Sequence, residues 1–457
     1  MLRIACLAAL GTTLLGGAPD LRAAPDRLVG HGGPVKSVVS ADEGRQLLTA
    51  SFDYAVMLWE VTGEEARVVQ RLIGHDAAAN DAAFVPGTSR AVSVSDDGTA
   101  ILWDLESGEA IGRFGETAVK ALDVEIAADG TLAAVAKWDR RVLLIDLENQ
   151  RLLARLEGNR DRVNAVAFSP DGRRLYSGGG DGSVRVWNLP LPEGSGVPPH
   201  RVLREHGWGI NALRAVPGGV VIGTVDGAVI RISDAGEAEA LFQFERPVMA
   251  LALSEDGSRL AAGAGDGQMI TWLAADWTEE KQLFNDGGPV WGLAFADSGK
   301  TLWLSGLDDE VYALALEGPP KALPEPKEQP RRFHLTEGLG PGAREFQRKC
   351  SVCHTLTADD ANRAGPTLYR IFGREAGSLP GYPYSQALLE SDIIWNEETI
   401  AKLFDHGPDV VTPGTKMPIQ RITDPGRRAA LVVFLKEATA GPEEPAQGSP
   451  ESLKEQE

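Results

Sequence analysis

The chain has 457 residues, of which 43% are apolar and 24% are charged, so its composition is that of a globular protein with room for two or three domains. It carries 65 acidic and 45 basic side chains, and the resulting net charge of −20 repels a phosphate backbone and argues against nucleic-acid binding. The 52 glycines favour an architecture with many tight turns. Three cysteines are too few for a disulfide framework and need another explanation.

Residues 1–24 have the pattern of a secretory signal peptide. A basic start is followed by an apolar run from Ile4 to about Ala18, which is too short to span a bilayer. Small residues then offer cleavage after Ala23 or Ala24; an uncleaved anchor or a buried first strand is the alternative. No other segment is apolar for long enough to span a membrane. We expect a soluble mature protein that is exported to the periplasm.

A turn aspartate followed by an alternating strand recurs seven times along the chain. The aspartates are Asp53, Asp97, Asp139, Asp181, Asp226, Asp266 and Asp308, spaced by 40 to 45 residues. That period is the length of one four-stranded propeller blade, and blades stack around an axis because none buries both faces alone. We therefore predict an all-β, seven-bladed propeller over residues 25–318. Residues 26–29 precede the first full repeat and are expected to pair with the last blade, which closes the ring.

Two of the repeats carry a fuller pattern of polar residues. The first pattern is His31, Thr49, Asp53 and Trp59, and the second is His75, Ser93, Asp97 and Trp103. These repeats resemble the WD-repeat family of β-propellers, in which such residues form a hydrogen-bonded structural tetrad. The other five blades lack one or more members; Asn159, for example, begins the blade of Asp181 and stands where the histidine would be. We expect those blades to depend more on apolar packing.

The propeller offers few residues for catalysis. Its histidines are His31, His75, His200 and His206, and three of them occupy the structural position, so a multi-histidine copper cluster lacks ligands. An eight-bladed propeller that binds a quinone or haem conflicts with the seven repeats. We assign no catalytic residue here and expect a platform whose rim and central channel dock another macromolecule.

Composition changes after the propeller. Five prolines within twelve residues, among charged side chains, predict a stiff linker over residues 319–337. A small domain is expected over residues 338–440, and residues 441–457 read as a disordered acidic tail. The formal charge is about +1 for residues 331–440 and −17 for residues 1–330, so the acidic field belongs mainly to the propeller.

The motif Cys350-Ser351-Val352-Cys353-His354 is that of covalent c-type haem attachment. Thiols at i and i+3 share one face of a helical turn and can add to both vinyl groups of a porphyrin, and the adjacent histidine is then aimed at the iron. A disulfide, a redox-active pair or half a zinc site are the alternatives, but the chain lacks a second cysteine pair for zinc.

Electron-transfer haem usually has a second strong axial ligand, commonly methionine or histidine. Met417 is the only methionine in the small domain. His406 is a rival from the same domain, and His334 precedes its first helix. We expect one haem c whose iron is held axially by His354 and Met417.

Residues 338–439 resemble the class I, mitochondrial-type c cytochromes. The matches are, in order, Cys350-x-x-Cys353-His354, Gly365-Pro366-x-Leu368, Phe372-Gly373-Arg374, Gly377, Tyr384, Trp395 and Pro413-Gly414-Thr415-Lys416-Met417. The resemblance implies a small all-α domain in which the Pro366 carbonyl accepts the proton of the His354 imidazole, while Arg374, Tyr384 and Trp395 hold a propionate. Where the family has a tyrosine beside the methionine ligand, this chain has Leu403 or Phe404, with one residue inserted before Met417.

Together these features predict an exported monohaem cytochrome that transfers single electrons, with a redox partner protein docking on the propeller or at the haem edge. Three alternatives stay open: a propeller enzyme that oxidises a small substrate and passes electrons to its haem, a haem-based sensor in which Met417 is displaceable, and an interaction scaffold with a structural haem.

Overall fold

The computed structural model describes residues 25–116, 119–191, 200–317, 339–351, 353–358, 365–380, 382, 384, 386–412, 415, 417 and 421–441. The predicted signal peptide, the predicted linker and residues 442–457 of the predicted tail lie outside these residues.

Seven four-stranded antiparallel sheets follow one another along the chain, and the prediction of a seven-bladed propeller is confirmed. Blade 1 consists of β2 (Val35–Ala41), β3 (Gln46–Ser51), β4 (Val56–Thr62) and β5 (Glu65–Leu72). Blade 2 consists of β6 (Ala79–Val85), β7 (Arg90–Ser95), β8 (Thr99–Asp104) and β9 (Ala110–Gly115). Blade 3 consists of β10 (Ala121–Ile126), β11 (Leu132–Lys137), β12 (Val142–Asp146) and β13 (Arg151–Leu156). Blade 4 consists of β14 (Val163–Phe168), β15 (Arg174–Gly179), β16 (Ser183–Asn188) and β17 (His200–Glu205).

The remaining blades repeat this order, and the last one takes a strand from the N-terminus. Blade 5 consists of β18 (Ile210–Val216), β19 (Gly219–Thr224), β20 (Ala228–Ser233) and β21 (Ala238–Gln243). Blade 6 consists of β22 (Val248–Leu253), β23 (Arg259–Ala264), β24 (Gln268–Leu273) and β25 (Thr278–Phe284). Blade 7 consists of β26 (Val290–Ala296), β27 (Thr301–Gly306), β28 (Glu310–Ala315) and β1 (Arg27–Val29). Because β1 pairs with β28, the expected closure of the ring by residues 26–29 is confirmed.

The core of the propeller lies between blades and not within them. Seven clusters of buried apolar side chains each draw residues from two neighbouring blades. Four tryptophans that lie in the third strand of their blades are buried in these clusters: Trp59, Trp103, Trp187 and Trp272. A blade-sized sheet cannot cover its own two faces, so each blade is stabilised by burial against its neighbours.

The innermost strand of every blade has a bulge at its second residue. Those seven residues, Lys36, Asn80, Leu122, Asn164, Asn211, Met249 and Trp291, lie where the register shifts, and all of them line the mouth of the central channel. The three asparagines among them form hydrogen bonds between neighbouring blades. The Nδ2 atoms of Asn80, Asn164 and Asn211 donate to a carbonyl of the next blade at 2.8, 2.8 and 3.0 Å.

The two predicted tetrads form as hydrogen-bonded chains. In blade 2, His75 Nδ1 lies 2.9 Å from Asp97 Oδ2, and His75 Nε2 lies 2.7 Å from Ser93 Oγ, which also accepts from Trp103 Nε1 at 2.7 Å. Burial opposes ionisation of Asp97, but the hydrogen bond and charge of His75 outweigh burial and lower the pKa of that carboxyl. The tetrad of His31 in blade 1 has the same arrangement.

Blade 4, where the histidine is missing, keeps a polar cluster as well as an apolar core. The buried Arg185 guanidinium donates to Asp181 Oδ2 at 2.8 Å and to Asn159 Oδ1 at 3.3 Å, and Ser177 Oγ donates to the same amide oxygen. The expectation that apolar packing takes over in such blades is therefore incomplete, because an arginine and an asparagine occupy the place of the histidine. Trp187 Nε1 is buried without a hydrogen-bond partner among the described residues.

Among the described residues of 339–441, the regular elements are helices. The helices are α1 (Pro341–Lys349), α2 (Gln386–Leu389), α3 (Glu397–His406), α4 (Pro408–Val411) and α5 (Pro425–Ala438). Helix α1 packs on α5 through the rings of Phe346 and Phe434, and Arg427 pairs with the buried Glu345 at 2.6 Å. The last helix begins at Pro425, because the Asp424 side chain caps it and a proline is favoured in the first turn.

Replacing His75 with Ala leaves the Asp97 carboxylate and the Ser93 hydroxyl without their shared partner. We expect His75→Ala to lower the free energy of unfolding by about 3 kcal/mol. His206→Ala is the matched control, because its contact with Asp226 is 3.4 Å long and partly exposed, and we expect it to cost less than about 1 kcal/mol. Guanidinium unfolding curves measure both; equal losses would contradict the structural role of the tetrad.

The buried Glu125 should make the free energy of unfolding depend on pH. Burial among the channel strands raises the pKa of Glu125 to about 7, and Arg214 opposes this. The unfolded chain therefore gives up this proton at lower pH than the folded chain, and stability falls as pH rises from about 4.5 to about 7. Glu125→Gln should gain stability relative to the wild type across that window, whereas the exposed Glu148→Gln should not. Thermal unfolding at several pH values measures this, and parallel curves for Glu125→Gln and the wild type would refute it.

Candidate functional site

A cavity with about 1150 Å³ of empty space, part of it open to solvent, lies among the C-terminal helices. All eight residues that the sequence analysis selected line it: Cys350, Cys353, His354, Pro366, Arg374, Tyr384, Trp395 and Met417. The rest of its wall is mainly apolar and includes Leu368, Ile371, Leu388, Ile400, Leu403, Phe404 and Leu435. These residues belong to different helices and loops, so the folded C-terminal segment assembles one site from the motifs.

The two cysteines and His354 follow directly from the end of α1. The amides of Cys353 and His354 both donate to the Cys350 carbonyl, at 3.0 and 2.9 Å, which coils the motif into a tight turn. The Cys350 side chain is buried, and this burial raises the pKa of its thiol to about 12, whereas Cys353 is partly exposed. The turn therefore presents one thiol inside the cavity and one nearer its rim.

A hydrogen bond orients the His354 imidazole. Its Nδ1 lies 2.8 Å from the carbonyl oxygen of Pro366, as the resemblance implied. Because a carbonyl can only accept, Nδ1 carries the proton, and Nε2 carries the lone pair that a metal ion needs. Gly365 allows this approach, since a Cβ there would lie 2.3 Å from His354 Cε1.

Arg374 is a half-buried cation in the mainly apolar wall, which Lys349 also lines. Arg374 donates to the carbonyls of Thr367 and Tyr369 at 2.6 and 3.2 Å, and no carboxylate of the described residues lies within ion-pair distance. Burial lowers the pKa of the guanidinium, which Tyr384 partly opposes. Burial also raises the pKa of Tyr384 itself. An uncompensated cation beside a tyrosine and Trp395 is an arrangement that an anionic group would stabilise.

Met417 reaches the same cavity from a different part of the chain, and its amide donates to Thr415 Oγ1 at 3.2 Å. His406, the rival ligand, is exposed at the end of α3 and does not line the cavity. His334 lies outside the described residues. Leu403 and Phe404, named as the replacement for a family tyrosine, are buried and line the cavity.

Sequence reasoning missed two tyrosines of this cavity. Tyr382 packs against Tyr384 with ring centroids 4.7 Å apart, and Tyr54 of blade 1 also lines the cavity. Tyr54 had a detectable signal, because it follows a turn aspartate at a position where four other blades have glycine.

A second cavity, with about 1200 Å³ of empty space, occupies the mouth of the propeller channel. Lys36 lies over the ring of Trp291 at 5.2 Å, and Arg162 lies over that of Trp138 at 4.9 Å. Asp123 lines the same cavity, and burial together with the neighbouring Asp81 raises its pKa well above the usual value. Asymmetric charges of this kind are absent from the repeat pattern, so periodicity could not predict them.

The residues of the first cavity fit a haem. An apolar wall suits a flat macrocycle, two cysteines and one oriented imidazole are adjacent, a thioether shares the space, and Arg374 could offset an anionic substituent. All of these features belong to residues of this chain.

Comparison with known proteins agrees with both parts of the chain. The family described as "WD domain, G-beta repeat" matches residues 25–60, 66–104 and 150–188. Each segment takes in the outer strand of one blade and the first three strands of the next, which are blades 1, 2 and 4, and ends one residue after a blade tryptophan.

Cytochromes c match a stretch of about 100 residues. Cytochrome c of Sesamum indicum is 42% identical over 101 residues, which is 22% of this chain and 88% of the relative. Cytochrome c of Cochliobolus lunatus is 39% identical over 98 residues, 21% of this chain and 90% of the relative. Cytochrome c2 of Rhodopila globiformis is 38% identical over 95 residues, 21% and 88% respectively. The chain therefore belongs to the cytochrome c family and carries, in the same polypeptide, a seven-bladed WD-repeat propeller.

Proposed function

We propose that this protein is an exported, single-haem electron carrier whose propeller docks the redox partner. Haem c would be bonded to Cys350 and Cys353, with His354 and Met417 as axial ligands of its iron. The observation that carries the proposal is that one apolar cavity brings together both thiols, the oriented imidazole and the thioether.

When bound, the haem supplies a one-electron couple, and the surrounding residues determine how it behaves. The Pro366 carbonyl holds the proton of Nδ1 and keeps the His354 ring in one orientation. As a ligand, the thioether of Met417 would favour the ferrous form and raise the reduction potential. Arg374 offsets negative charge inside the wall, and the apolar side chains limit water. With His354 and Met417 both holding the iron, the site would suit electron transfer better than ligand chemistry.

The propeller supports a docking role. The seven blades form a closed ring, and the part of the chain that contains it carries most of the net charge. An acidic surface of this kind favours a partner with a basic face and speeds its encounter at low ionic strength. Docking on the propeller would raise the local concentration of the partner near the haem.

Export to the periplasm is part of the proposal and is supported by the pattern of residues 1–24. Haem attachment to cysteines takes place outside the bacterial cytoplasmic membrane, which agrees with an exported chain. Within the residues that the structure describes, none of the helices is long and apolar enough to cross a membrane.

A second candidate function is a propeller enzyme that delivers electrons to its own haem. The charged cavity at the channel mouth favours it, because Lys36, Arg162 and Asp123 are polar groups converging on one space. A small molecule that reduces the haem of the purified protein in the absence of a partner would distinguish this enzyme from a carrier.

Covalent attachment of haem can be tested by measuring the mass of the protein. Intact mass spectrometry of the mature protein should give a chain that starts after Ala23 or Ala24 with the mass of one haem added. The double variant Cys350→Ala, Cys353→Ala should be colourless and lack that added mass, because no thioether can form. Ser351→Ala, which removes the side-chain hydrogen bond to the Gln347 carbonyl and leaves both thiols in place, should keep the haem. A wild-type protein without the added mass would end the proposal.

Met417→Leu tests the axial thioether. Loss of the sulfur should remove the far-red absorption band of methionine-ligated ferric haem, lower the reduction potential and allow the reduced protein to bind carbon monoxide. Met249→Leu, at a methionine of the propeller channel, should leave all three properties unchanged. If the wild-type protein already binds carbon monoxide, Met417 is displaceable and a sensor is favoured over a carrier.

A further inference from the structure

The propeller contributes a side chain to the haem cavity. Tyr54 lies in the turn between β3 and β4, and of the described propeller residues it alone lines the cavity that contains Cys353 and Tyr382. Electrostatics agree with this placement: burial raises the pKa of Tyr54, and Cys353 adds to the effect. Burial also raises the pKa of Tyr382, and Tyr54 contributes to that shift.

The backbone at Tyr54 is strained. Its φ is +72°, a left-handed conformation that is costly for a residue with a Cβ. In four other blades the residue after the turn aspartate is a glycine, namely Gly98, Gly182, Gly227 and Gly267, and all four have positive φ. The turn therefore requires a positive φ at this position. The tyrosine of blade 1 adopts it at a cost in backbone conformational energy that a glycine would not have.

The contact lies on the side of the cavity where electron exchange would occur. Cys353 is the less buried of the two cysteines, so the edge beside it is the more accessible part of the site. The Tyr54 ring, together with Tyr382, adds aromatic surface at this edge. Such a wall excludes water and reagents from whatever group the two cysteines hold.

We propose that the turn between β3 and β4 of blade 1 docks on the C-terminal segment of its own chain. Tyr54 in this turn would cover the edge of the C-terminal cavity beside Cys353. This inference rests on the proposed function, since it takes haem as the group that is covered. The propeller is then part of the haem environment. A redox partner that approaches the edge beside Cys353 meets the face of the propeller that carries this turn.

Blade 3 supplies a matched control. Arg140 follows the turn aspartate of blade 3, has φ +75°, and does not line the cavity. Tyr54→Gly and Arg140→Gly relieve the same backbone strain in the same kind of turn, so each should raise the melting temperature of its propeller slightly. Only Tyr54→Gly removes a ring from the cavity.

The test measures the rate at which dithionite reduces the haem of the full-length holoprotein in a stopped-flow instrument. Tyr54→Gly should be reduced several-fold faster than the wild type, whereas Arg140→Gly and Tyr54→Phe, which keeps the ring, should match the wild type. Equal rates for Tyr54→Gly and Arg140→Gly would overturn the proposal.

A second measurement does not depend on haem. Hydrogen exchange of the peptides that contain Cys353 and Tyr382, followed by mass spectrometry in the full-length chain, should be faster in Tyr54→Gly than in Arg140→Gly, because the turn that carries Tyr54 no longer packs beside those two residues. If the chain proves to hold no haem, the proposed function fails, and this exchange experiment still decides whether the turn docks. Unchanged exchange in Tyr54→Gly would refute docking.

Discussion

Each blade of this propeller leaves both faces of its sheet uncovered, and every other feature of the propeller depends on how that surface is buried. Each of the seven cores is built from two blades, so the ring is stable only when the last blade meets the first. The pairing of β1 with β28 provides that closure, and Leu28 joins Trp59 and Trp303 in the cluster that it completes. Stability therefore comes from contacts between distant parts of the chain.

A closed ring leaves particular positions available for function. Side chains on the sheet faces are occupied by packing, whereas the bulge residues of the inner strands and the turns after the second strands face the channel or the solvent. Lys36 and Trp291 occupy bulges, and Tyr54 occupies a turn. These positions lie outside the tetrads and the apolar cores, so their side chains can differ between blades without loss of packing. The ring thus holds variable side chains on a rigid frame.

The C-terminal cavity shows how local geometry prepares a site. The tight turn after α1 places the cysteines and the histidine together, and the absence of a side chain at Gly365 lets the Pro366 carbonyl reach the imidazole. That bond selects the tautomer and the orientation of the ring. Among the described residues Arg374 has no ion-pair partner, so its guanidinium adds an electrostatic preference for an anionic group and is part of the cavity's specificity and not only of its shape.

The sequence by itself determined the features that are periodic or local. The spacing of the turn aspartates predicted seven blades, the histidine patterns predicted the tetrads of blades 1 and 2, and the cysteine–histidine motif with its later methionine predicted which residues share a cavity. Such signals survive because a turn, a strand or a helical turn depends on neighbouring residues.

Only the tertiary structure decided which distant side chains meet. Arg185 and Asn159 replace a histidine in blade 4, Asp123 lies against Asp81 of the preceding blade, and Tyr54 reaches a cavity formed by the other end of the chain. No periodicity marks these pairs, because contacts across blades or between the propeller and the helices depend on the closed ring and on how the folded parts pack. Burial and electrostatics at those contacts are properties of the assembled chain.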